Sequence, residues 1–197
     1  ELLRRVSTTG VEAVGFDLDA AGVEEASQPA GCTAYTYANV GDHLSTADVL
    51  HIGDVLEHVP NPMSVLDEAC SLLRPGGTLL IEGPLEANLS VFNGALAVAA
   101  AVKFGRPVEI PPYHVHLITV RGQQKLFGRA GLTCEEFETG DTAWPAPGRW
   151  DSALVRNPRL LGLFLLRKLS GAAFRSASRK RSDRMANRFR YRGTKPN

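Results

Sequence analysis

The feature that most constrains this chain is a repeated step: a short apolar or β-rich run, a break, then apolar residues at helical spacing. Val11–Phe16 (VEAVGF) runs into Asp17, and Ala20–Ala26 reads as the start of a helix. Thr33–Tyr37 (TAYTY) and Ala47–Ile52 (ADVLHI) are further strand signals. Val65, Leu66, Ala69, Leu72 and Leu73 recur at the period of a helix, which Arg74-Pro75-Gly76-Gly77 stops. Thr78–Ile81 is the next strand and closes at Gly83-Pro84. Residues 120–130 are expected to be helical with Gly131 as the C-terminal cap, and Leu132–Phe137 to be a strand. Strands that alternate with helices imply crossover connections and a mostly parallel sheet, so the fold class is α/β.

A chain of 197 residues is long enough to bury a core without a disulfide or metal staple. Its 44% hydrophobic and 22% charged content excludes a disordered chain, a collagen-like repeat and a disulfide scaffold. The three cysteines, Cys32, Cys70 and Cys134, form no C-x-x-C pair and fit free thiols in a reducing, cytoplasmic compartment. The longest uncharged run, Ala87–Val102, falls short of the ~20 residues a spanning helix needs and reads as a buried or lid helix. The net charge of +1 excludes a uniformly basic nucleic-acid binder. That charge is nonetheless unevenly placed. Residues 175–197 hold nine Lys and Arg and one acid, Asp183. The expected form is a solvated helix face followed by a final antiparallel strand, where Phe189 and Tyr191 alternate with arginines. The apolar helix Leu160–Leu169 and the basic residues to 195 also make 160–195 a candidate for peripheral membrane contact.

In an open parallel sheet, ligands sit beyond the carboxyl ends of the strands. Those ends are Asp17-Leu18-Asp19, Ala38-Asn39-Val40, Gly53-Asp54-Val55 and Glu82-Gly83-Pro84. A carboxylate such as Asp17, between a strand and a helix, can accept hydrogen bonds from both hydroxyls of a ribose. Nicotinamide enzymes and methyltransferases share that signal, and a helix N-cap is the alternative role, one that Asp19 fills equally well.

The block from Ala47 to Pro84 (ADVLHIGDVLEHVPNPMSVLDEACSLLRPGGTLLIEGP) is more specific. Its pieces are Asp48 opening a strand, Asp54-Val55-Leu56-Glu57-His58-Val59, Asn61-Pro62, and Leu72-Leu73-Arg74-Pro75-Gly76-Gly77 leading into a strand. It resembles the class I S-adenosylmethionine-dependent methyltransferases, in particular the small-molecule group that includes the ubiquinone-biosynthesis O-methyltransferases. His114-Val115-His116-Leu117, Gly131-Leu132 and Val14-Gly15-Phe16-Asp17-Leu18-Asp19 resemble further segments of that group. The resemblance covers about residues 1–140. It implies a Rossmann-like sheet with helices on both faces. It also implies that this chain lacks the family's first strand and glycine-rich loop, since residue 1 reads as part of the helix that follows them. A core over 1–156, with a lid at 87–113, is expected to precede a C-terminal helix, basic segment and last strand over 157–197.

The resemblance also assigns roles. Asp17 would bind the ribose of S-adenosylmethionine and Leu18 would pack on its adenine. Asn39 and Val40 would lie near the adenine, and Gly53 against the methionine portion. Methyl transfer is an in-line displacement at a sulfonium carbon, favoured by a close, aligned nucleophile in a water-poor site. A hydroxyl acceptor also needs a base. His58 is the first candidate, and His114 or His116 the second. Asp54, Glu57 and His58 form a pattern that holds a divalent metal in some relatives, although a helix start enriched in acids reads the same way. No metal is assigned. The acceptor is expected to be a small molecule, apolar or linked to a lipid or glycan, with oxygen favoured as its methylated atom. The competing reading is a non-catalytic binding or scaffold subunit built on the same fold. A nicotinamide dehydrogenase fits Asp17 but not the Leu56-Glu57-His58 and Pro75-Gly76-Gly77 blocks.

Overall fold

Capping side chains set the element boundaries in the computed structural model, which describes residues 2–28, 32–88, 90–91, 94, 98, 114–141, 149–177 and 183–197. Helix α1 (Leu2–Ser7) precedes strand β1 (Val14–Asp17), and α2 (Ala20–Ser27) follows at once. Asp19 starts α2 by accepting hydrogen bonds from the N–H groups of Ala21 and Gly22, two donors that a helix start leaves open. Strand β2 (Thr33–Thr36) leads through a 3-10 helix over Tyr37–His43 into β3 (Ala47–Gly53). Asn61 caps α3 (Pro62–Leu72) through the Ser64 N–H, with Pro62 in the first turn, where its missing N–H costs nothing. Next come β4 (Leu73–Pro84) and α4 (Val120–Arg129). Thr119 caps α4, and Gly131, at φ +72°, takes the left-handed turn beyond its end. The rest is β5 (Thr133–Gly140), α5 (Ala153–Arg156), α6 (Pro158–Ser176) and β6 (Arg188–Thr194).

Several boundaries differ from the sequence expectation; β5, for one, runs to Gly140 rather than Phe137. Strand β1 starts at Val14 rather than Val11, because Gly10 turns at φ +77° and Val11 is left exposed. Strand β4 begins at Leu73, with no loop between it and α3. Gly77 permits this: a Cβ there would lie 3.0 Å from the Ala47 carbonyl oxygen and 2.9 Å from that of Arg74. Helix α6 extends beyond Leu160–Leu169 in both directions, from Pro158 to Ser176. The expected lid over 87–113 lies largely outside the described residues.

Strands β1 and β2 pair in parallel, and the other four form a sheet in the order β3-β4-β6-β5. There β3 and β4 are parallel, and β6 runs antiparallel to both β4 and β5. So β3, β4 and β5 share one direction, and β6 is the reversed last strand that alternating Phe189 and Tyr191 lead one to expect. This is the mostly parallel, Rossmann-like α/β arrangement.

Register decides which side chains share a face. Ile52, Ile81, Tyr191 and Phe137 are aligned across the four strands. They meet Leu66 and Ala69 of α3 and Phe127 of α4 in one apolar core. Phe127 stands 4.2 Å from Tyr191 and 5.7 Å from Phe189, ring centre to ring centre. The opposite face carries charge: Glu82, Arg190 and Glu138 are aligned, as are Arg192 and Glu136. Arg190 lies 3.5 Å from Glu82, and Arg192 lies 3.0 Å from Glu135. Arg190 and Arg192 of β6 are thus paired within the sheet, with acids of neighbouring strands.

Two polar ties join the layers. The Tyr37 hydroxyl donates to Glu68 of α3; burial, with Glu68 beside it, pushes that phenol up to about 12. Buried Asn88 donates to the carbonyls of Asp183 (2.9 Å) and Ala186 (2.8 Å) and accepts from the Val120 N–H at 3.2 Å. That one amide fixes the chain after β4, the start of α4 and the approach to β6.

Candidate active site

The carboxyl ends of the strands gather two groups of side chains. At the first, Asp17 ends β1 opposite Thr36, the last residue of β2. Asp17 Oδ1 accepts from the Asp19 N–H at 3.0 Å, which orients the carboxylate beside the start of α2. Leu18 is 81% exposed. Asn39 lies in the 3-10 helix, where its Oδ1 accepts from Thr36 Oγ1 at 3.1 Å, and half-buried Val40 follows. The β1–β2 pairing therefore brings Asp17, Leu18, Asn39 and Val40 to one end of the small sheet.

The second group lies beyond β3 and β4. Gly53 ends β3, where a Cβ would come within 2.8 Å of His51 Cε1. Asp54 follows at φ +52°, its N–H donating to the Glu82 carbonyl at 3.0 Å and its carboxylate 2.7 Å from Arg188. The loop then turns inward on buried Leu56 and Glu57. The Glu57 carbonyl accepts from the N–H groups of Val115 (2.8 Å) and His116 (3.1 Å), so this loop holds the segment carrying both histidines. His58 Nε2 lies 4.0 Å from Glu57 Oε1. The rings of His58 and His114 meet edge to face at 4.7 Å, and His114 Nδ1 lies 2.6 Å from Glu86 Oε2. His116 turns elsewhere, its Nε2 donating to the Pro60 carbonyl at 3.2 Å.

The sequence pattern groups Asp54, Glu57 and His58. In the fold, Asp54 goes to Arg188 and its place is taken by His114. Glu57, His58 and His114 each present one ligand atom within 4.8 Å of the others, a set that could hold a divalent ion. As it stands it is a buried carboxylate beside two imidazoles, a group able to accept and hold a proton. Sequence reasoning missed Glu86 and Arg188. Glu86 lies two residues past Pro84 and could have been found as a strand-end acid. Arg188 carries no local signal, because only the β4–β6 register brings it to Asp54.

Burial pushes the Glu57 carboxyl up from its ordinary value; a backbone hydrogen bond lowers it, Asp54 raises it, and His58 and His114 lower it. A carboxyl raised on folding holds its proton more tightly in the native chain than in the unfolded one. Its contribution to stability is whole below the unfolded value of ~4.3 and is lost as pH rises through the folded value. Glu57→Gln is therefore expected to lose less stability than the parent as pH rises from about 4 through the raised folded value. Urea unfolding at stepped pH measures this; parallel curves would show that Glu57 titrates alike in both states.

A family profile described as a methyltransferase domain matches residues 1–136. The chain belongs to that family. Among curated proteins it is 32% identical over 118 residues to a ubiquinone biosynthesis O-methyltransferase of Parvibaculum lavamentivorans, a match spanning 60% of this chain and 44% of that protein. The chain thus matches less than half the length of that relative. Among solved structures it superposes on a SAM-dependent methyltransferase from Methanosarcina mazei with a TM-score of 0.59, at 11% identity, covering 98% of this chain and 85% of that one. It also superposes on the phosphoethanolamine N-methyltransferase 2 of Haemonchus contortus, solved with S-adenosyl-L-methionine, with a TM-score of 0.55 at 13% identity, covering 98% of this chain and 46% of that one. At these identities the superpositions establish the shared Rossmann-like fold.

Proposed function

We propose that this chain catalyses S-adenosylmethionine-dependent methyl transfer to a small-molecule acceptor. The observation that carries the reading is the arrangement at the strand ends of a methyltransferase-family chain: an acceptor carboxylate, Asp17, after β1, and an acid–imidazole cluster after β3. The cofactor suits the residues at the first group. Asp17 is an acceptor-only carboxylate beside a helix start, and Leu18 offers an apolar face to solvent where an adenine ring would be covered. In this reading Asp17 holds the ribose hydroxyls, Leu18, Asn39 and Val40 surround the adenine, and Gly53 leaves room for the methionine portion. When bound, the cofactor supplies an electrophilic methyl carbon. His58 accepts the acceptor's proton, with His116 as the second candidate base. Oxygen is the favoured acceptor atom, in line with the curated relative's name. The acceptor itself is apolar or joined to a lipid or glycan. Residues 1–156 would carry the site, with 87–113 as its lid, and 157–197 would supply the C-terminal helix, the basic segment and the last strand, β6, which lies between β4 and β5. Free thiols at Cys32, Cys70 and Cys134 support a reducing, cytoplasmic setting.

The test is calorimetric titration of S-adenosylmethionine into the full protein. Heat of binding is expected. Its absence at high micromolar cofactor would leave the non-catalytic, scaffold reading. Asp17→Ala is expected to weaken binding by roughly 1–3 kcal/mol, the scale of hydrogen bonds lost from a charged group. Unchanged affinity would remove Asp17 from the site.

A further inference from the structure

Helix α6 turns a face to solvent that its packing does not use. Phe164 and Ser170 are buried and Phe174 packs on the core, yet Leu165 is 51% exposed and Leu169 63%. One turn apart, these two leucines share the outward face. Trp150 and Val155, just ahead of the helix, are 61% and 60% exposed. The Trp150 ring stands edge-on to Phe164 at 5.7 Å, which places it beside α6. A helix apolar on two sides calls for an apolar partner on each, and the core supplies only one.

The same stretch is strongly basic. Between residues 149 and 177, Arg149, Arg156, Arg159, Arg167, Lys168 and Arg175 stand against a single acid, Asp151. Arg167, Lys168 and Arg175 line a shallow pocket with Asp141 and Gly171. Asp141, bonded by Ser170 at 3.3 Å, is the one acid there and faces Arg167 and Arg175, so the three cations still outnumber it. Lys168 also lies over the Phe164 ring, 5.3 Å from its centre. In β6, by contrast, Arg190 and Arg192 face acids of the sheet and Arg188 faces Asp54 just beyond β3. Residues 149–177 thus carry excess positive charge on the same stretch as the exposed leucines.

We propose that α6 and residues 149–156 form a docking surface for an anionic lipid bilayer. The helix lies in the plane of the interface, with Leu165, Leu169, Trp150 and Val155 in the acyl boundary and Lys168 and Arg175 on headgroup phosphates. No helix among the described residues is long and apolar enough to cross a membrane, so the contact is peripheral. A second copy of this chain is the poorer occupant: a two-fold interface would set these cations against the same cations of its mate. This inference does not depend on methyl transfer.

Sedimentation with vesicles tests it. The chain is expected to bind vesicles of phosphatidylcholine and phosphatidylglycerol at about three to one, and to bind pure phosphatidylcholine at least about tenfold more weakly. Raising the salt to about 0.5 M is expected to weaken the anionic binding. Leu165→Gln/Leu169→Gln and, separately, Lys168→Glu are each expected to lower it by about tenfold while circular dichroism and the unfolding midpoint stay unchanged. Equal binding to both vesicle types, or none at about millimolar lipid, overturns the proposal. So does a leucine variant that binds vesicles normally but loses a dimer seen by light scattering, since that outcome makes the face a self-interface.

Discussion

Replacing His58 with alanine is expected to slow methyl transfer by about 10²–10⁴-fold, the range of a lost general base. The geometry around the imidazole gives the reason. His58 follows β3, at the carboxyl edge where the parallel strands open. Its Nε2 lies 4.0 Å from Glu57 Oε1, and its ring meets His114, which is held by Glu86 at 2.6 Å. A proton taken from an acceptor hydroxyl would leave an imidazolium beside a buried carboxylate, where attraction is weakly screened. Two further measurements separate this role from a structural one. His58→Gln keeps a hydrogen-bonding side chain without the basicity, so it is expected to be about as slow as the alanine variant. Cofactor affinity by calorimetry is expected to stay at the parent value in both. A glutamine variant near the parent rate would make His58 a positioning residue and pass the base role to His116, whose alanine variant is the next to assay.

The strands, their parallel direction and the reversed last strand were legible in sequence because each rests on local pattern or on a connection rule. Alternation in Phe189 and Tyr191, the helical period of Val65–Leu73 and the caps at Asp19 and Gly131 all act within a few residues. The errors lie where a neighbouring element decides. Nothing local says that Gly77 must pass the Ala47 carbonyl, so the sequence places a loop where β4 already runs. At the site, strand ends could be found from pattern, and so could Asp17, Gly53 and the Glu57-His58 pair. The partner of that pair could not. His114 and His116 are two residues apart and equivalent as sequence; two N–H groups donating to the Glu57 carbonyl hold their segment so that His114 meets His58 and His116 meets Pro60. Asp54 is drawn away by Arg188, more than a hundred residues distant in sequence, through the register of β4 with β6.

Phe127→Ala is expected to destabilise the chain by about 3–5 kcal/mol, the range for removing a buried phenylalanine. Phe127 is 2% exposed and its ring contacts Phe137, Phe189 and Tyr191. These three come from β5 and β6, so the cavity would open between α4 and the sheet, where no single side chain can collapse into it. Tyr191 is poorly placed to fill it. Its ring lies back along β6, so close over Gly193 that a Cβ there would clash with the hydroxyl oxygen. That oxygen is buried and has no hydrogen-bond partner among the described residues, and burial pushes the phenol up to about 12. Tyr191→Phe, which deletes an unsatisfied polar atom and keeps the ring, is therefore expected to be neutral or stabilising. Because Phe127 and Tyr191 touch, the double variant Phe127→Ala/Tyr191→Ala is expected to lose less than the sum of the two single losses. Urea unfolding of the parent and of the four variants, Tyr191→Ala among them, measures all of this. Additive losses would show that the two rings stabilise the sheet independently, and a Phe127→Ala loss below about 1 kcal/mol would show that the sheet closes onto α4 without strain. The site depends on the same packing. Gly83 lies against the Phe189 ring, and a Cβ there would lie 3.6 Å from Glu57 Oε2, so a shift of β6 would reach the Glu57 carboxylate directly.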